Sequence, residues 1–223
     1  MTKYLLNLST YCVLFIDEIH RLPKLVEEFL YPVMEDFKAT VVLDGEPEEL
    51  DIPRFTLVGA TTSGGSLSQP FYDRFTIKEH LKFYTQNELA KLARSNADRS
   101  GFSISDEVCD EIAARSKGTP RILNARLEWY TNYQACFADK MPDVNSVFLE
   151  QGIDNKGLDE NDRTYLKILK SNLGNPLGIK NISGMTGIAM DTIENSIEPY
   201  LVRKGFVVRT SKGRILGNYS ESV

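Results

Sequence analysis

The sequence predicts an α/β core in its opening part, an all-helical segment after it and a winged helix at its end. Three observations carry this. Val13-Leu14-Phe15-Ile16 and Phe55 to Ala60 are short apolar runs of the kind that form buried parallel strands. Residues 85–138 keep helical spacing throughout. Residues 159–217 read as three helices and then a hairpin with a basic tip, Ser211-Lys212-Gly213. The expected parts are residues 1–80, 81–152 and 153–223.

Each element follows from local chemistry. Residues 1–10 end a helix that leads into the first strand. Residues 21–37 place Leu22, Leu25, Val26, Phe29, Leu30, Val33 and Phe37 on one helical face, with Pro23 in the first turn. Pro32 is expected to kink or interrupt that helix. Thr40 to Leu43 and Glu49 to Ile52 flank Asp44-Gly45-Glu46-Pro47, which suggests a hairpin. Ser63-Gly64-Gly65 is a turn, and Pro70 opens a short helical piece ending near Phe75. Thr85 with Glu88 fits a capping box, Ser105 suits the next cap, and Gly118-Thr119-Pro120-Arg121 opens a third helix. Gly152 to Gly157 is polar and reads as a linker. Beyond it a helix starts near Asp159, and Asn175-Pro176-Leu177-Gly178 breaks it. Helices near 179–186 and 190–204 follow, and Phe206 to Arg209 pairs with Arg214 to Leu216.

At 223 residues, 42% of them apolar and 26% charged, the chain has the composition of an ordinary soluble protein of one or two domains. Cys12, Cys109 and Cys136 are odd in number and far apart, so inert thiols in a reducing compartment are expected. No signal peptide and no long apolar run is present, so a cytoplasmic location and no membrane contact are expected. The net charge of −5 is unevenly spread. Residues 1–157 carry 17 basic and 24 acidic side chains, whereas residues 158–223 carry 9 and 7. The stretch 203–214 holds Arg203, Lys204, Arg209, Lys212 and Arg214 with no acid. Such a strip can bind phosphates on an acidic protein, although a solvated β-turn would look the same.

Asp17 and Glu18 emerge together at the carboxyl end of the first strand, where open α/β sheets place ligands. This is the form of a Walker B element, in which Asp17 holds Mg²⁺ through water and Glu18 orients the attacking water. A core strand running into a solvated acidic turn gives the same local pattern.

Further motifs extend the reading. Asp17-Glu18-Ile19-His20-Arg21-Leu22 runs on into Val26 to Phe37, which contains Glu35-Asp36-Phe37. Leu57-Val58-Gly59-Ala60-Thr61-Thr62, Asp73-Arg74-Phe75 and Gly118-Thr119-Pro120-Arg121 follow. In this order and spacing they resemble the RuvB family of AAA+ motors, which drive branch migration at Holliday junctions. The resemblance runs from about Leu6 to Gly217. It implies a partial AAA+ core, a helical lid and a winged helix, with ATP and Mg²⁺ as cofactors. It further implies that Thr62 serves as sensor 1 and that Arg74 is an arginine finger serving the neighbouring subunit's nucleotide. Arg121 takes the sensor-2 position, and Glu35, Asp36, Phe37 and Tyr84 line the nucleotide. For Phe37 and Tyr84 plain core packing is the competing account, and for Arg74 a surface pair with Asp73. Arg209, Lys212 and Arg214 would meet the phosphates or minor groove of duplex DNA without reading sequence. The partners implied are double-stranded DNA, four-way junctions, an oligomeric ring of six like or related subunits, and a RuvA-type junction-binding protein.

The chain departs from the family at several points. The phosphate-gripping pattern G-x-x-x-x-G-K-[ST] occurs nowhere in it. Without that loop, and without the inner strand it extends from, apolar strand edges are expected to stand unpaired and the chain alone is not expected to hydrolyse ATP. The family's A-T-T-R-A-G is Ala60-Thr61-Thr62-Ser63-Gly64-Gly65, and its R-D-R-F-G is Tyr72-Asp73-Arg74-Phe75-Thr76. The hairpin at 40–52, which docks RuvA in the family, is shorter and more acidic. Two readings follow: a portion of an ATP-driven DNA motor, or a relative that binds DNA and modulates a ring without hydrolysing nucleotide.

Overall fold

The computed structural model describes residues 2–43, 46–137, 143–172 and 174–218. The chain divides into two compact units, Met1–Leu81 and Lys82–Val223.

The first unit is built on two parallel strands, β1 (Cys12–Ile16) and β4 (Phe55–Gly59), paired in register from Cys12 with Phe55 to Ile16 with Gly59. α1 (Thr2–Leu6) precedes β1, and between the two strands the chain forms α2 (Lys24–Glu35) and the antiparallel hairpin β2 (Lys38–Leu43) and β3 (Glu46–Asp51). The hairpin exists and is longer than the sequence suggests; its Asp44-Gly45 tip lies outside the described residues. A short α3 (Gln69–Asp73) follows β4. Leu14, Ile16 and Phe55 pack inward on a core of Leu5, Ile19, Leu30, Val33, Ala39, Ile52 and Phe71.

Three expectations are corrected here. The strands are not buried on both faces. Alternation sends Val13, Phe15 and Val58 to the other side, where they are 63%, 58% and 40% exposed. Leu25 belongs to the outer face of α2 and not the apolar stripe; the inward positions include Glu27, which accepts a hydrogen bond from Ser68 at 2.7 Å. Finally, α2 runs on through Pro32. A helical proline leaves the carbonyl four residues back without its partner. That residue is Glu28, which is exposed, so water can serve its carbonyl.

The second unit has two hydrophobic cores. The helices α4 (Gln86–Arg99), α5 (Asp106–Ala114), α6 (Pro120–Cys136) and α7 (Val144–Glu150) close over Leu89, Ala93, Ile112, Leu123, Leu127, Val147 and Phe148. Thr85 and Glu88 form the predicted capping box, and Ser105 caps α5. Donors of Thr85 hold the Glu88 carboxyl below its usual range, the backbone N–H first. A depressed carboxylate stabilises the folded state fully above its unfolded pKa, and the contribution is lost as pH falls through the lower folded value. Glu88→Gln is therefore expected to flatten the acid limb of a thermal-melting-versus-pH curve while changing little at neutral pH.

The second core surrounds Leu158, Tyr165, Leu166, Leu169, Ile182, Ile193, Ile197, Leu201, Phe206 and Val207. It is enclosed by α8 (Glu160–Ser171), α9 (Ile179–Thr186), α10 (Met190–Thr192), a π-turn (Ile193–Ile197), α11 (Glu198–Arg203) and the hairpin β5 (Val207–Thr210) and β6 (Gly213–Leu216). The long helix expected near 190–204 is thus interrupted by the π-turn. The cause is sequence-local: Pro199 has no N–H and its ring crowds the carbonyl four residues earlier, and widening the turn relieves both. The predicted polar linker is tied down: Arg163 donates to the carbonyls of Gly152 and Leu158, and the Tyr200 hydroxyl to that of Lys156. No helix among the described residues is long and apolar enough to cross a membrane.

Candidate functional site

In the first unit the predicted residues fall into two groups. The first gathers at the carboxyl ends of β1 and β4, because parallel pairing in register delivers both strand ends to one edge. The Thr62 hydroxyl donates to Glu18 Oε2 at 3.1 Å, and the Glu18 amide donates to Asp17 Oδ1 at 2.9 Å. Asp17 and Thr62 are exposed and Glu18 is half-buried. His20, two residues beyond the acids, joins this group although the sequence reading does not name it as a site residue. Its Nδ1 lies 2.8 Å from Thr61 Oγ1 and 3.2 Å from Glu18 Oε2. Its position in the Asp17-Glu18-Ile19-His20 string was the available signal. Glu18 itself has φ +48°, left-handed backbone that costs a non-glycine residue on the order of 1 kcal/mol and that clusters at functional positions.

The second group surrounds Arg74, at the end of α3. Its Nε is 3.1 Å from Glu35 Oε1, its Nη1 donates to the Pro70 carbonyl at 2.8 Å, and its guanidinium lies 4.1 Å over the Tyr31 ring. Asp73 is engaged instead by Gln69 at 2.7 Å, so the simple Arg74–Asp73 surface pair is not what forms. Met34, Glu35, Gln69, Pro70, Asp73 and Arg74 line an open cavity beside it. Phe37, with φ +57°, packs edge-on against Phe55 at 6.1 Å and lies under the Arg54 guanidinium. Phe37 is half-buried and lines a cavity with Phe55, Arg74 and Phe75. Asp36 lies at the end of α2, its amide donating to the Pro32 carbonyl.

In the second unit, Arg121 is exposed in the first turn of α6. Tyr84 is 47% exposed, and its amide donates to the Gly118 carbonyl at 3.0 Å. The basic hairpin is less free than its sequence implies. Glu198 is fully buried and accepts from Arg209 Nε at 2.7 Å, Arg214 Nε at 2.8 Å and the Tyr165 hydroxyl at 2.8 Å. Glu194 adds a bond to Arg214 Nη2 at 3.0 Å. The acid-free stretch thus meets acids from the preceding helix. Arg214 is largely covered, Arg209 is half exposed, and Lys212 stands exposed at the tip. Arg203, counted in the same strip, turns away to the Phe83 ring and the Lys117 carbonyl.

These donors fit one side of a nucleoside triphosphate. A strand-end carboxylate pair with adjoining hydroxyls suits a hydrated Mg²⁺ and an attacking water. The side that would grip the β- and γ-phosphates is not furnished by these residues, and among the described residues no cluster of three His, Cys, Asp or Glu could hold a metal by itself. Asp17 and Glu18 could contribute to a metal–water shell; they could not complete one.

Three family models match the chain in sequence: the Holliday junction DNA helicase RuvB P-loop domain over residues 1–81, the RuvB AAA lid domain over 84–146 and the RuvB C-terminal winged helix domain over 155–220. The Holliday junction branch migration complex subunit RuvB of Rubrobacter xylanophilus is 41% identical over 96% of this chain, and that of Rhodopirellula baltica 40%. The chain spans 63% and 61% of the length of these relatives. The structure of the Thermotoga maritima RuvB Holliday junction branch migration motor superposes with a TM-score of 0.83 at 38% identity, over 99% of this chain and 72% of that one. A strand-end acid pair, a helical lid and a hairpin-bearing terminal unit in this order, matched domain by domain, place the chain in the RuvB family.

Proposed function

We propose that the chain contributes the hydrolysis-side and DNA-side machinery of a RuvB-type motor that moves four-way junctions in recombination and repair. Its three working parts are residues 1–80, 81–152 and 153–223. The observation that carries the reading is the contact of Thr62 with Glu18 beside Asp17, because two motifs 44 residues apart in sequence meet at one strand edge. In this reading Asp17 holds Mg²⁺ through water, Glu18 polarises the attacking water, and Thr62 reports the γ-phosphate. His20 orients Glu18. Arg74, with Glu35 and Asp36, serves the nucleotide of a neighbouring subunit in a six-membered ring, and Arg121 and Tyr84 face nucleotide from the lid. ATP supplies the driving force when bound, and its phosphate grip must come from outside these 223 residues.

Arg209, Lys212 and Arg214 form the DNA-facing wing. The outward side of the preceding helix carries Asp191 and Glu194, which disfavours its entry into a groove and leaves the hairpin to touch backbone phosphates. Glu194→Gln removes one acid and loosens Arg214. It is expected to raise duplex affinity several-fold at low salt, whereas Lys212→Ala lowers it and reduces the salt slope by about one unit.

The deciding experiment measures ATP turnover of the purified chain, with and without forked DNA, and again after mixing with a full-length RuvB relative. Turnover that the mixture gains and that Glu18→Gln removes supports the motor reading. Salt-sensitive DNA binding with no effect of Glu18→Gln in either setting supports the second reading, a ring-modulating DNA-binding subunit, which the missing phosphate loop favours.

A further inference from the structure

We infer that the winged helix holds the turn from which the lid's sensor helix starts, with Arg203 and Lys117 as positioning residues that carry duplex engagement to Arg121. The inference rests on the proposed DNA-binding role of the wing and extends it to a physical route within the second unit.

Lys117 and Gly118 lie just before Thr119, the N-cap of α6, and both have left-handed backbone, with φ +51° and +79°. Lys117 is a non-glycine residue in that region, and surrounding contacts must hold it there. Those contacts come from the start of the first helix of the winged helix and the end of its last. At the start of α8, the buried Lys117 ammonium binds Asp162, which is fully buried, and reaches Asp159 at 3.3 Å. Asp159 and Asp162 are themselves the capping box of α8, so the lysine plugs into that helix's first turn. At the end of α11, Arg203 Nη2 donates to the Lys117 carbonyl at 2.5 Å, and the guanidinium stacks 3.5 Å from the centre of the Phe83 ring. Next to Phe83, the Tyr84 amide closes the turn by donating to the Gly118 carbonyl.

Gly118 is required at this crossing. A Cβ there would lie 2.8 Å from Arg203 Nη2 and 3.3 Å from the Phe83 Cβ. The space admits the guanidinium because the residue beside it has no side chain. Arg121 follows three positions later, in the first turn of a 17-residue helix. A displacement of α8 against α11 therefore reaches the 117–118 backbone through one buried ion pair and one charge-assisted hydrogen bond, with no free linker between. The same α11 begins with Glu198, which grips Arg209 and Arg214 of the wing. Wing, α11, Arg203 and Lys117 are joined by contacts, and a short run of backbone through Gly118 leads from Lys117 to Arg121.

The test is amide hydrogen exchange of residues 117–124 in the full chain, free and saturated with a duplex of about 20 base pairs at low salt. In the wild type, duplex is expected to slow this exchange about threefold or more. Arg203→Ala is expected to bind duplex within about twofold of wild type, because Arg203 faces the lid and not the wing, yet to lose the slowing. Phe83→Leu, a half-exposed site that leaves folding intact, should weaken the slowing without changing the melting temperature. A residue with a merely structural role would move the melting temperature and leave the DNA response. Equal slowing in wild type and both variants, or none in a saturated wild type, overturns the coupling alone. A chain that binds no duplex overturns the wing's proposed role and the coupling with it.

Discussion

Replacing Glu198 with alanine is expected to destabilise the winged helix by about 3–5 kcal/mol, the range for removing one partner of a buried charge pair. The carboxylate is fully buried and is the common acceptor for Arg209, Arg214 and the Tyr165 hydroxyl. Burial, with the neighbouring Glu198 charge, raises the Tyr165 phenol, so that group stays a donor at every working pH. Alanine would leave Arg209 without this carboxylate, Arg214 with Glu194 as its remaining acidic partner among the described residues, and the Tyr165 hydroxyl without its acceptor. Glutamine keeps shape and one acceptor oxygen and should cost less. Thermal melting followed by Tyr165 signals, or amide exchange of residues 160–216, reads the loss. The lid core around Ile112, Leu127 and Phe148 should keep its protection, since it is a separate cluster, whereas residues 117–124, which the winged helix holds, should lose part of theirs. Equal loss of protection in both cores would show that the two melt as one.

Arg74→Ala is expected to lower ATP turnover on the order of 10³-fold where this chain is the sole source of the finger. The measurement uses rings assembled with a full-length relative whose own finger arginine has been replaced. The wild-type chain restores turnover to such rings, and the Arg74→Ala chain leaves it at background. Undiminished restoration by Arg74→Ala would remove the finger assignment. In the free chain the guanidinium is occupied by Glu35, Pro70 and Tyr31, so facing a phosphate requires exchange of at least the Glu35 contact. Glu35→Gln accordingly separates a holding role from a nucleotide-lining one: the first predicts unchanged or faster restoration, the second a loss.

The architecture was legible because its signals are local. Asp-Glu after a β-branched run, a Thr85–Glu88 cap and a basic hairpin tip each declare themselves within a few residues. What was not legible depends on distant partners. Nothing within 203–214 reveals that Glu194 and Glu198, on the preceding helix, neutralise Arg209 and Arg214. Leu25 fits a helical stripe by spacing, and only the location of the α2 neighbours shows that Glu27 is inside and Leu25 outside. The surface pair with Asp73 that competes with the finger reading for Arg74 does not form, because Gln69 takes Asp73 by the i,i+4 geometry of a helix turn and leaves Arg74 to Glu35. His20 stands in the sequence only as part of a motif, because its contacts depend on Thr61 arriving from the end of another strand. The exposed side of the strands is not legible in the sequence, since hydrophobicity alone does not say how many layers cover a sheet.

The open face formed by Val13, Phe15 and Val58 has a thermodynamic consequence for the chain on its own. Any partner able to cover those side chains binds the folded state and not the unfolded one, so mass action makes the melting temperature of the first unit depend on concentration, whether the covering surface is another protein or another copy. Where such a partner is present, the melting temperature of the first unit rises with that partner's concentration.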